Sequence, residues 1–544
     1  MAAIPHHLLG PGRPLVYVLR FGDEVYGHQW TVDQGLDAHG LRTLEFLVEL
    51  DPSVVGHGGS TISVRSLLVC DDELRPLRYE SASGSRRVVL RLEADELSAT
   101  LPDGESLTIE HESAPVAVLE ANMVAHQALL AADANPDDAT AQSCPVLLVN
   151  QLLVMSYALT RAPELDEAEL TGWRSSFKEE LWLDARGGLV RWRQPAQSIS
   201  AELMSTPVAL PEWVGEAPPA PPTVSYERPG GATFALHDVT IAGPVTPIGG
   251  ALTLPAGEGP HPAALFLSGS GRHDRHGIAG EIDVGTHQIM DGLAERGIIG
   301  LRCDSRGAGT TKLGSDVLEQ GLQTLFDDAG AALETLCGRP EVGGRPVWLI
   351  GHSQGAIVAL ALARSRPESV AGVVLLAAPG RAIDALMEEQ VEALGLRRGL
   401  SAQQVATQLA DLREFVHAVR DGRSWSENSV PAHVLAGARS RRWLEEHLRF
   451  RTDELLAGLS KPVLLCQGGK DLQVSPERDA DRLRSVAAET GVDMQYTLFP
   501  ELDHLFKEVE GEPDPKQYFD AGRRVDPALI DRIAAWIDDV SAAV

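Results

Sequence analysis

The chain has 544 residues, and its 47 Lys and Arg residues against 77 Asp and Glu residues give a formal net charge of −30 at pH 7. Nucleic acids and anionic membranes bind basic surfaces, so this charge argues against both as partners. The length exceeds that of a usual single domain and predicts two domains with an insertion.

The cysteines give no sign of a disulfide framework or a zinc site, because there are five of them, widely spaced and without a Cys-x-x-Cys pair. No basic segment followed by an apolar one starts the chain, and no unbroken apolar run of about 18 residues occurs in it. We therefore expect a soluble, cytoplasmic protein that holds neither a metal ion nor an organic cofactor.

The first part of the chain, residues 1–206, alternates short β-rich runs with turn signals. The runs cover 15–21, 41–51, 61–70, 87–99 and 106–111, and apolar residues at helical spacing predict one helix over 114–132. A hairpin is predicted at 180–192, where Gly187 and Gly188 can supply the positive φ of a tight reversal. We predict a β-rich antiparallel domain that carries no catalytic group.

A proline-rich stretch follows at 207–231, with Pro218, Pro219, Pro221 and Pro222 close together. Such a composition favours an extended, semi-rigid linker. The domain boundary is therefore predicted here, and 232–544 forms the second domain.

In the second domain apolar strands alternate with helical stretches. The predicted strands are 233–242, 249–254, 263–267, 298–303, 347–350, 370–377, 461–466 and 494–499. This alternation predicts a mostly parallel sheet covered by helices on both faces, with ligands bound at the carboxyl ends of the strands.

One of these strands runs into the sequence Gly351-His352-Ser353-Gln354-Gly355, followed by an Ala/Leu-rich helical stretch. A strand, a Gly-x-Ser-x-Gly turn and a helix are typical of a nucleophile elbow, which predicts Ser353 as the nucleophile. Gly351 and Gly355 are expected because a side chain at either position would collide with the neighbouring strand or helix.

Two later strand ends supply an acid and a base, Asp471 and His504. A serine hydroxyl needs a base to take its proton, and an imidazole needs a carboxylate to hold its tautomer. Asp503 is an alternative acid, but it is adjacent to His504 in sequence and is poorly placed to reach the ring. The order Ser353, Asp471, His504 is that of α/β-hydrolases.

A glycine-rich turn, Ser268-Gly269-Ser270-Gly271, follows the strand 263–267. Backbone N–H groups there can face a developing oxyanion, with Ser270 as first choice and Gly271 next, while the N–H of Gln354 supplies the other donor. The turn is too short for a phosphate-binding P-loop and no Lys-Ser or Lys-Thr pair follows it.

Helical periodicity resumes between the strands 370–377 and 461–466, over 383–394, 402–419 and 443–456. An insertion at this point of the fold predicts a helical cap over about 381–459. Its apolar side chains, among them Met387, Phe415 and Trp443, are candidates for an acyl pocket or for plain core.

These motifs resemble those of the α/β-hydrolase superfamily, in particular bacterial serine esterases. Besides the elbow, the matches are Gly-Ser-Gly-x-x-Asp-Arg at 269–275, Arg-x-Asp-x-Arg-Gly-x-Gly at 302–309, Asp-x-Gln-Val at 471–474 and Leu-x-His-Leu-Phe at 502–506. The resemblance covers about 224–544 and departs from the family pattern at Asp503. We interpret Asp274, Arg275, Asp304 and Arg306 as loop-ordering ion pairs.

The resemblance implies a carboxylesterase-like serine hydrolase that acts through an acyl-enzyme on a small-molecule acyl substrate. Thioesterase, amidase and acyltransferase activities remain alternatives, because the triad does not choose the leaving group. A non-catalytic binding protein with a hydrolase fold is a further alternative, and a homo-oligomer is left open.

Overall fold

The computed structural model describes residues 14–542 except 57, 72, 85, 94–95, 110, 112, 121–122, 132–141, 151, 207, 221, 258 and 424–440. The chain forms two compact units, Met1–Pro221 with Val391–Arg441 and Pro222–Gln390 with Arg442–Val544. The first division falls inside the proline-rich segment. The divisions after Gln390 and after Arg441 lie inside the predicted cap. They assign 391–441 to the same unit as the N-terminal sheet.

The first unit contains one continuous sheet, and fifteen strands of it lie in the described residues. Spatial neighbours are consecutive in the chain except where β1 pairs with β15, and all pairs are antiparallel except β9 with β10. The strands are β1 Leu15–Phe21, β2 Glu24–Leu36, β3 Arg42–Leu50, β4 Ile62–Cys70, β5 Pro76–Ser83, β6 Arg86–Leu92, β7 Leu97–Thr100, β8 Ser106–Thr108, β9 Ala117–Leu119, β10 Gln142–Leu148, β11 Leu153–Arg161, β12 Thr171–Ser175, β13 Glu180–Leu183, β14 Leu189–Gln194 and β15 Ile199–Leu203.

The second unit contains an eight-stranded sheet in the order β16-β17-β21-β18-β22-β23-β24-β25. The pairs β16–β17 and β17–β21 are antiparallel, and the remaining pairs are parallel. Its strands, with the small hairpin β19–β20, are β16 Ala235–Ile241, β17 Ile248–Leu254, β18 Ala263–Leu267, β19 Ile278–Ala279, β20 Ile282–Asp283, β21 Ile299–Cys303, β22 Val347–His352, β23 Val370–Leu376, β24 Val463–Gly468 and β25 Met494–Phe499.

The described helices are α1 Val124–Ala131, α2 Thr286–Ala294, α3 Leu322–Cys337, α4 Gln354–Ser365, α5 Ile383–Arg397, α6 Ala402–Arg420, α7 Arg441–Arg449, α8 Thr452–Leu456, α9 Asp481–Thr490 and α10 Pro527–Ala542. Short 3₁₀ turns lie at Pro52–Val55, Pro163–Leu165, Pro195–Gln197, Val317–Glu319 and Pro515–Phe519, and a π turn at Pro476–Ala480 leads into α9. No helix in the described ranges has both the length and the hydropathy to cross a membrane.

Helix α1 packs on one face of the first sheet, where the ring of His126 meets Phe46 and Tyr79 edge-on. The predicted helix over 114–132 is wrong in its first half, because Ala117–Leu119 pairs with β10 as strand β9. Tertiary strand pairing overrides the helical spacing there. The predicted hairpin is confirmed as β13–β14, and Gly187 has φ 79° in its turn.

Helix α6 packs within the first unit although it is inserted in the second half of the chain. Gln408 Nε2 donates to the carbonyl of Ala196 at 2.6 Å, and Gln404 Nε2 donates to the carbonyl of Pro195 at 3.3 Å. Lys178 forms an ion pair with Asp411 of the helix. These polar contacts fix α6 to the turns that follow β12 and β14.

Alternating residues of the central strands of the second sheet supply two apolar cores. Leu265 and Leu349 point to one face, which α3, α4 and α9 cover. Phe266 and Ile350 point to the other, which α2 and α10 cover. This is the doubly covered, mostly parallel arrangement expected from the sequence. Sheets of this kind bind their ligands at the carboxyl ends of the strands.

Candidate active site

Ser353 lies in the turn between β22 and α4, and its backbone has φ 52° and ψ −119°. A residue other than glycine rarely adopts a positive φ, and such strain persists only where its surroundings enforce it. The backbone N–H of Ser353 donates to the carbonyl of Leu376 at 2.8 Å, which ties the turn to the adjacent strand. The turn therefore combines the Gly-x-Ser-x-Gly sequence with a strained backbone at Ser353.

The two glycines of the elbow are required by close backbone contacts. A Cβ on Gly351 would lie 2.4 Å from the carbonyl oxygen of Gly355, in the first turn of α4. A Cβ on Gly355 would lie 2.0 Å from the carbonyl oxygen of Leu267, at the end of β18. Strand and helix thus approach each other too closely for any side chain, as the sequence predicted.

The turn after β18 lies against Ser353, the candidate nucleophile. A Cβ on Gly269 would be 3.3 Å from the Cβ of Ser353 and 3.1 Å from Nδ1 of His352. Ser270 is exposed, and Gly271 has φ 134°. Gln354 is buried and begins α4, so its backbone N–H has no acceptor inside the helix. The glycine-rich turn and the first residue of α4, which contain the candidate oxyanion donors, therefore both lie next to Ser353.

The candidate base and acid meet at the ends of β24 and β25. His504 Nδ1 lies 2.8 Å from Asp471 Oδ2, and both side chains are almost fully buried. The N–H groups of Gln473 and Val474 donate to Asp471 Oδ1 at 2.7 and 3.0 Å, and Gln467 Nε2 donates to Oδ2 at 3.1 Å. Asp471 is thus held rigidly with one oxygen facing the imidazole.

Asp503, the alternative acid, is occupied elsewhere. Its Oδ2 forms a 2.7 Å ion pair with Arg523, and its Oδ1 accepts the backbone N–H groups of Leu505 and Lys507. The buried carboxylate stabilises the loop that carries His504 and does not contact the ring. The positive charge of Arg523 compensates the negative charge of Asp503.

Comparisons with known proteins agree on one enzyme class. A family model described as serine aminopeptidase, S33, matches residues 275–511, a range that contains Ser353, Asp471 and His504. The esterase EstD of Thermotoga maritima is 29% identical over 307 residues, which cover 56% of this chain and 68% of that protein.

The chain is a serine hydrolase.

Two solved structures show a weaker similarity to the hydrolase. An esterase of Pyrococcus furiosus is 15% identical with a TM-score of 0.38, over 59% of this chain and 96% of that chain. A dienelactone hydrolase of Anabaena variabilis is 16% identical with a TM-score of 0.34, over 56% of this chain and 98% of that chain. Likeness this distant says nothing about the substrate of the hydrolase.

His352 is a site residue of the hydrolase that sequence reasoning missed, although it lies inside the elbow motif. Its Nε2 is 2.8 Å from the carbonyl oxygen of His504, which can only accept, so this nitrogen carries a proton. Burial is the main cause that lowers the pKa of His352 to about 3, and the nearby imidazole of His504 contributes to the decrease. A neutral His352 therefore links the turn that carries Ser353 to the loop of the candidate base.

His447, on α7 of the hydrolase, is the other residue that was missed. Its Nε2 lies 2.6 Å from Nε2 of Gln354, and both side chains are buried. No motif spacing signals such a contact, because 93 residues separate the partners. Only the fold brings α7 to the first turn of α4.

The loop-ordering charges of the hydrolase are largely as expected. Arg275 Nε and Nη2 meet the two oxygens of buried Asp304 at 3.0 and 2.8 Å. Arg306 forms ion pairs with Asp316 and Asp328. Asp274 differs from the expectation, because its carboxylate accepts the backbone N–H groups of the next turn instead of an Arg side chain.

Proposed function

We propose that this serine hydrolase cleaves carboxylic esters through an acyl-enzyme intermediate. The observation that carries the proposal is the 2.8 Å contact between His504 Nδ1 and Asp471 Oδ2, in the same unit as the strained backbone of Ser353. A base that is oriented by a buried carboxylate activates a serine hydroxyl as a nucleophile when the base can take its proton.

In the proposed first step, the Ser353 hydroxyl attacks the ester carbonyl while His504 takes its proton. The proton enters at Nε2, because Nδ1 faces Asp471. His504 then gives the proton to the departing alkoxide, and the alcohol leaves. Water repeats the sequence on the acyl-enzyme and releases the acid. Asp471 stabilises the imidazolium that forms in each half.

The tetrahedral oxyanion of each half-reaction needs hydrogen-bond donors that are in place before it forms. We assign this role to the backbone N–H groups of Gln354 and Ser270, with that of Gly271 as the next candidate. Support comes from the approach of the glycine-rich turn to Ser353, and from the position of Gln354 at the start of α4. Loss of one such donor typically costs roughly 10²–10³ in kcat.

Ester cleavage is favoured by the similarity to an esterase over 56% of the chain. Amide cleavage is the second candidate, because the matching family model is described as a serine aminopeptidase. An aminopeptidase must bind the ammonium group of its substrate, usually through a carboxylate. Asp471, which contacts His504, and Asp503, the sequence neighbour of His504, are already paired with His504 and Arg523. This pairing favours the ester.

The proposed substrate is a small acyl compound, and the insertion helices are proposed to form a cap that selects it. Every proposed catalytic group lies in the unit made of Pro222–Gln390 and Arg442–Val544. The N-terminal sheet is therefore assigned no chemical step. Its contribution is proposed to be substrate access or assembly, since it shares a compact unit with the insertion helix α6.

The experiment that tests this function is a comparison of kcat/KM across three chromogenic series with graded acyl chains: esters, thioesters and aminoacyl anilides. Esters are expected to be the best substrates, with Ser353→Ala inactive on all of them. Preference for aminoacyl anilides would favour the peptidase instead. Turnover by Ser353→Ala equal to that of the unmodified enzyme would contradict both.

A further inference from the structure

The side chain of Gln354 is anchored by a histidine from a distant part of the chain. Gln354 Nε2 and His447 Nε2 are 2.6 Å apart, at 7% and 2% residue exposure. A buried polar contact as short as this is a hydrogen bond, and its direction depends on which imidazole nitrogen carries the proton.

The surroundings of His447 settle that direction. Its Nδ1 lies 2.7 Å from the carbonyl oxygen of Trp443, which can only accept, so Nδ1 carries the proton. Nε2 of the neutral ring is then an acceptor, and the Gln354 amide donates to it. The indole of Trp443 packs on the imidazole with ring centroids 4.0 Å apart, which restricts rotation of the ring.

We infer that His447 is a positioning residue for the oxyanion donor. The inference rests on the proposed function, in which the backbone N–H of Gln354 binds the oxyanion. The first residue of a helix lacks part of the hydrogen bonding that holds the interior, so helix ends fray. Tying the side chain of that residue to a rigid, buried imidazole keeps its N–H directed at the position where charge develops.

A purely structural role for His447 would be to dock α7, but α7 has other attachments. Glu446 Oε2 accepts the backbone N–H of Gln323 at 2.8 Å, at the start of α3. Leu444 is fully buried. Loss of the His447 contact therefore leaves α7 docked and releases Gln354. Because the oxyanion exists only in the transition state, the expected effect is on kcat and not on KM.

The test uses the full chain and compares two variants of His447. His447→Asn keeps a donor near the carbonyl of Trp443 but is too short to reach Gln354, whereas His447→Gln extends an acceptor to the position of Nε2. For an activated ester, we expect His447→Asn to lower kcat by about tenfold, less than the loss of a whole donor, with KM unchanged. His447→Gln should restore most of kcat.

Further variants keep the inference falsifiable if His447→Asn fails to fold. Gln354→Met removes the side-chain amide that binds His447 and keeps a side chain of similar size. It should lower kcat like His447→Asn, and the double variant should be no worse than either single one. Glu446→Gln, which weakens the docking of α7 and the ion pair with Arg442 but does not touch Gln354, should lower the melting temperature and leave kcat unchanged. Equal kcat for His447→Asn, His447→Gln and the unmodified enzyme, or an unchanged kcat in Gln354→Met, would overturn the inference.

Fluorophosphonate labelling of Ser353 separates this inference from the function on which it rests. If the unmodified enzyme is labelled at Ser353 and the His447 variants nevertheless keep its kcat, only the positioning role fails. If the unmodified enzyme is not labelled at Ser353, the proposed function itself fails.

Discussion

His504 and Asp471 meet through a 2.8 Å contact, while Asp503, the sequence neighbour of His504, is joined to Arg523 at 2.7 Å. Both carboxylates are buried, and of the two it is Asp471 that contacts the ring of His504. The division predicts opposite consequences for removing each negative charge.

Asp471→Asn is expected to lower kcat by a factor on the order of 10⁴, because an amide facing Nδ1 favours the wrong imidazole tautomer. Asp503→Asn should keep kcat within a small factor but lower stability by roughly 3–5 kcal/mol, because it leaves the charge of Arg523 poorly compensated. Steady-state kinetics and denaturant unfolding of both variants check this. Loss of kcat in Asp503→Asn with retention in Asp471→Asn would reverse the assignment.

Gly355→Ala is expected to disrupt the catalytic unit, because the added Cβ would lie 2.0 Å from the backbone carbonyl oxygen of Leu267 at the end of β18. Gly230→Ala is the matched control, since nothing lies within 4 Å of its added Cβ. Thermal unfolding should show a large loss for the first variant and almost none for the second. Equal melting temperatures would contradict the close strand–helix contact.

The catalytic unit was largely predictable from sequence, because its central strands are short apolar runs buried on both faces. The predicted runs 263–267 and 494–499 coincide with β18 and β25, and the collisions at Gly351 and Gly355 follow from the motif alone. The cap and the chemical roles of the site residues stay predictions.

The N-terminal sheet was harder to predict because buried polar residues hide its strands. Gln29, Thr31 and Asp33 of β2 are all at most 3% exposed, so the apolar and polar alternation that marks a half-buried strand is missing and the strand was not found. His447 was missed for a different reason. A contact made across a long insertion has no local pattern.

The buried histidines predict that acid destabilises the fold. Burial lowers the pKa of His126 from 6.5 to about 3, so between these values the unfolded chain binds a proton that the folded chain excludes. The stabilising effect of the neutral ring is complete above pH 6.5 and is lost as the pH falls toward 3, at up to about 1.4 kcal/mol per pH unit.

Guanidinium unfolding between pH 7 and pH 5 measures this dependence, with His126→Phe as the comparison. The variant keeps an aromatic ring between Phe46 and Tyr79 but removes the titrating group. Its free energy of unfolding should depend less steeply on pH, whatever its absolute value. An identical slope in both proteins would show that His126 does not titrate on unfolding.

Removing the N-terminal sheet alone is expected to yield a poorly folded fragment, because α6 then loses the partners of Gln404, Gln408 and Asp411. A fragment that begins at Pro222 and also replaces 391–441 by a short Gly/Ser linker removes the whole first unit. This second fragment should unfold cooperatively and react with a fluorophosphonate at Ser353. A folded but unreactive second fragment would show that the first unit completes the active site.

The central claim is that Ser353 forms the acyl-enzyme, and mass spectrometry of the fluorophosphonate-treated protein tests it most directly. The strained elbow and the buried His504–Asp471 pair predict one adduct, on the peptide that contains Ser353, with no labelling of Ser353→Ala and strongly reduced labelling of His504→Ala. An adduct on another residue, or ester turnover by Ser353→Ala at the rate of the unmodified enzyme, would contradict the account.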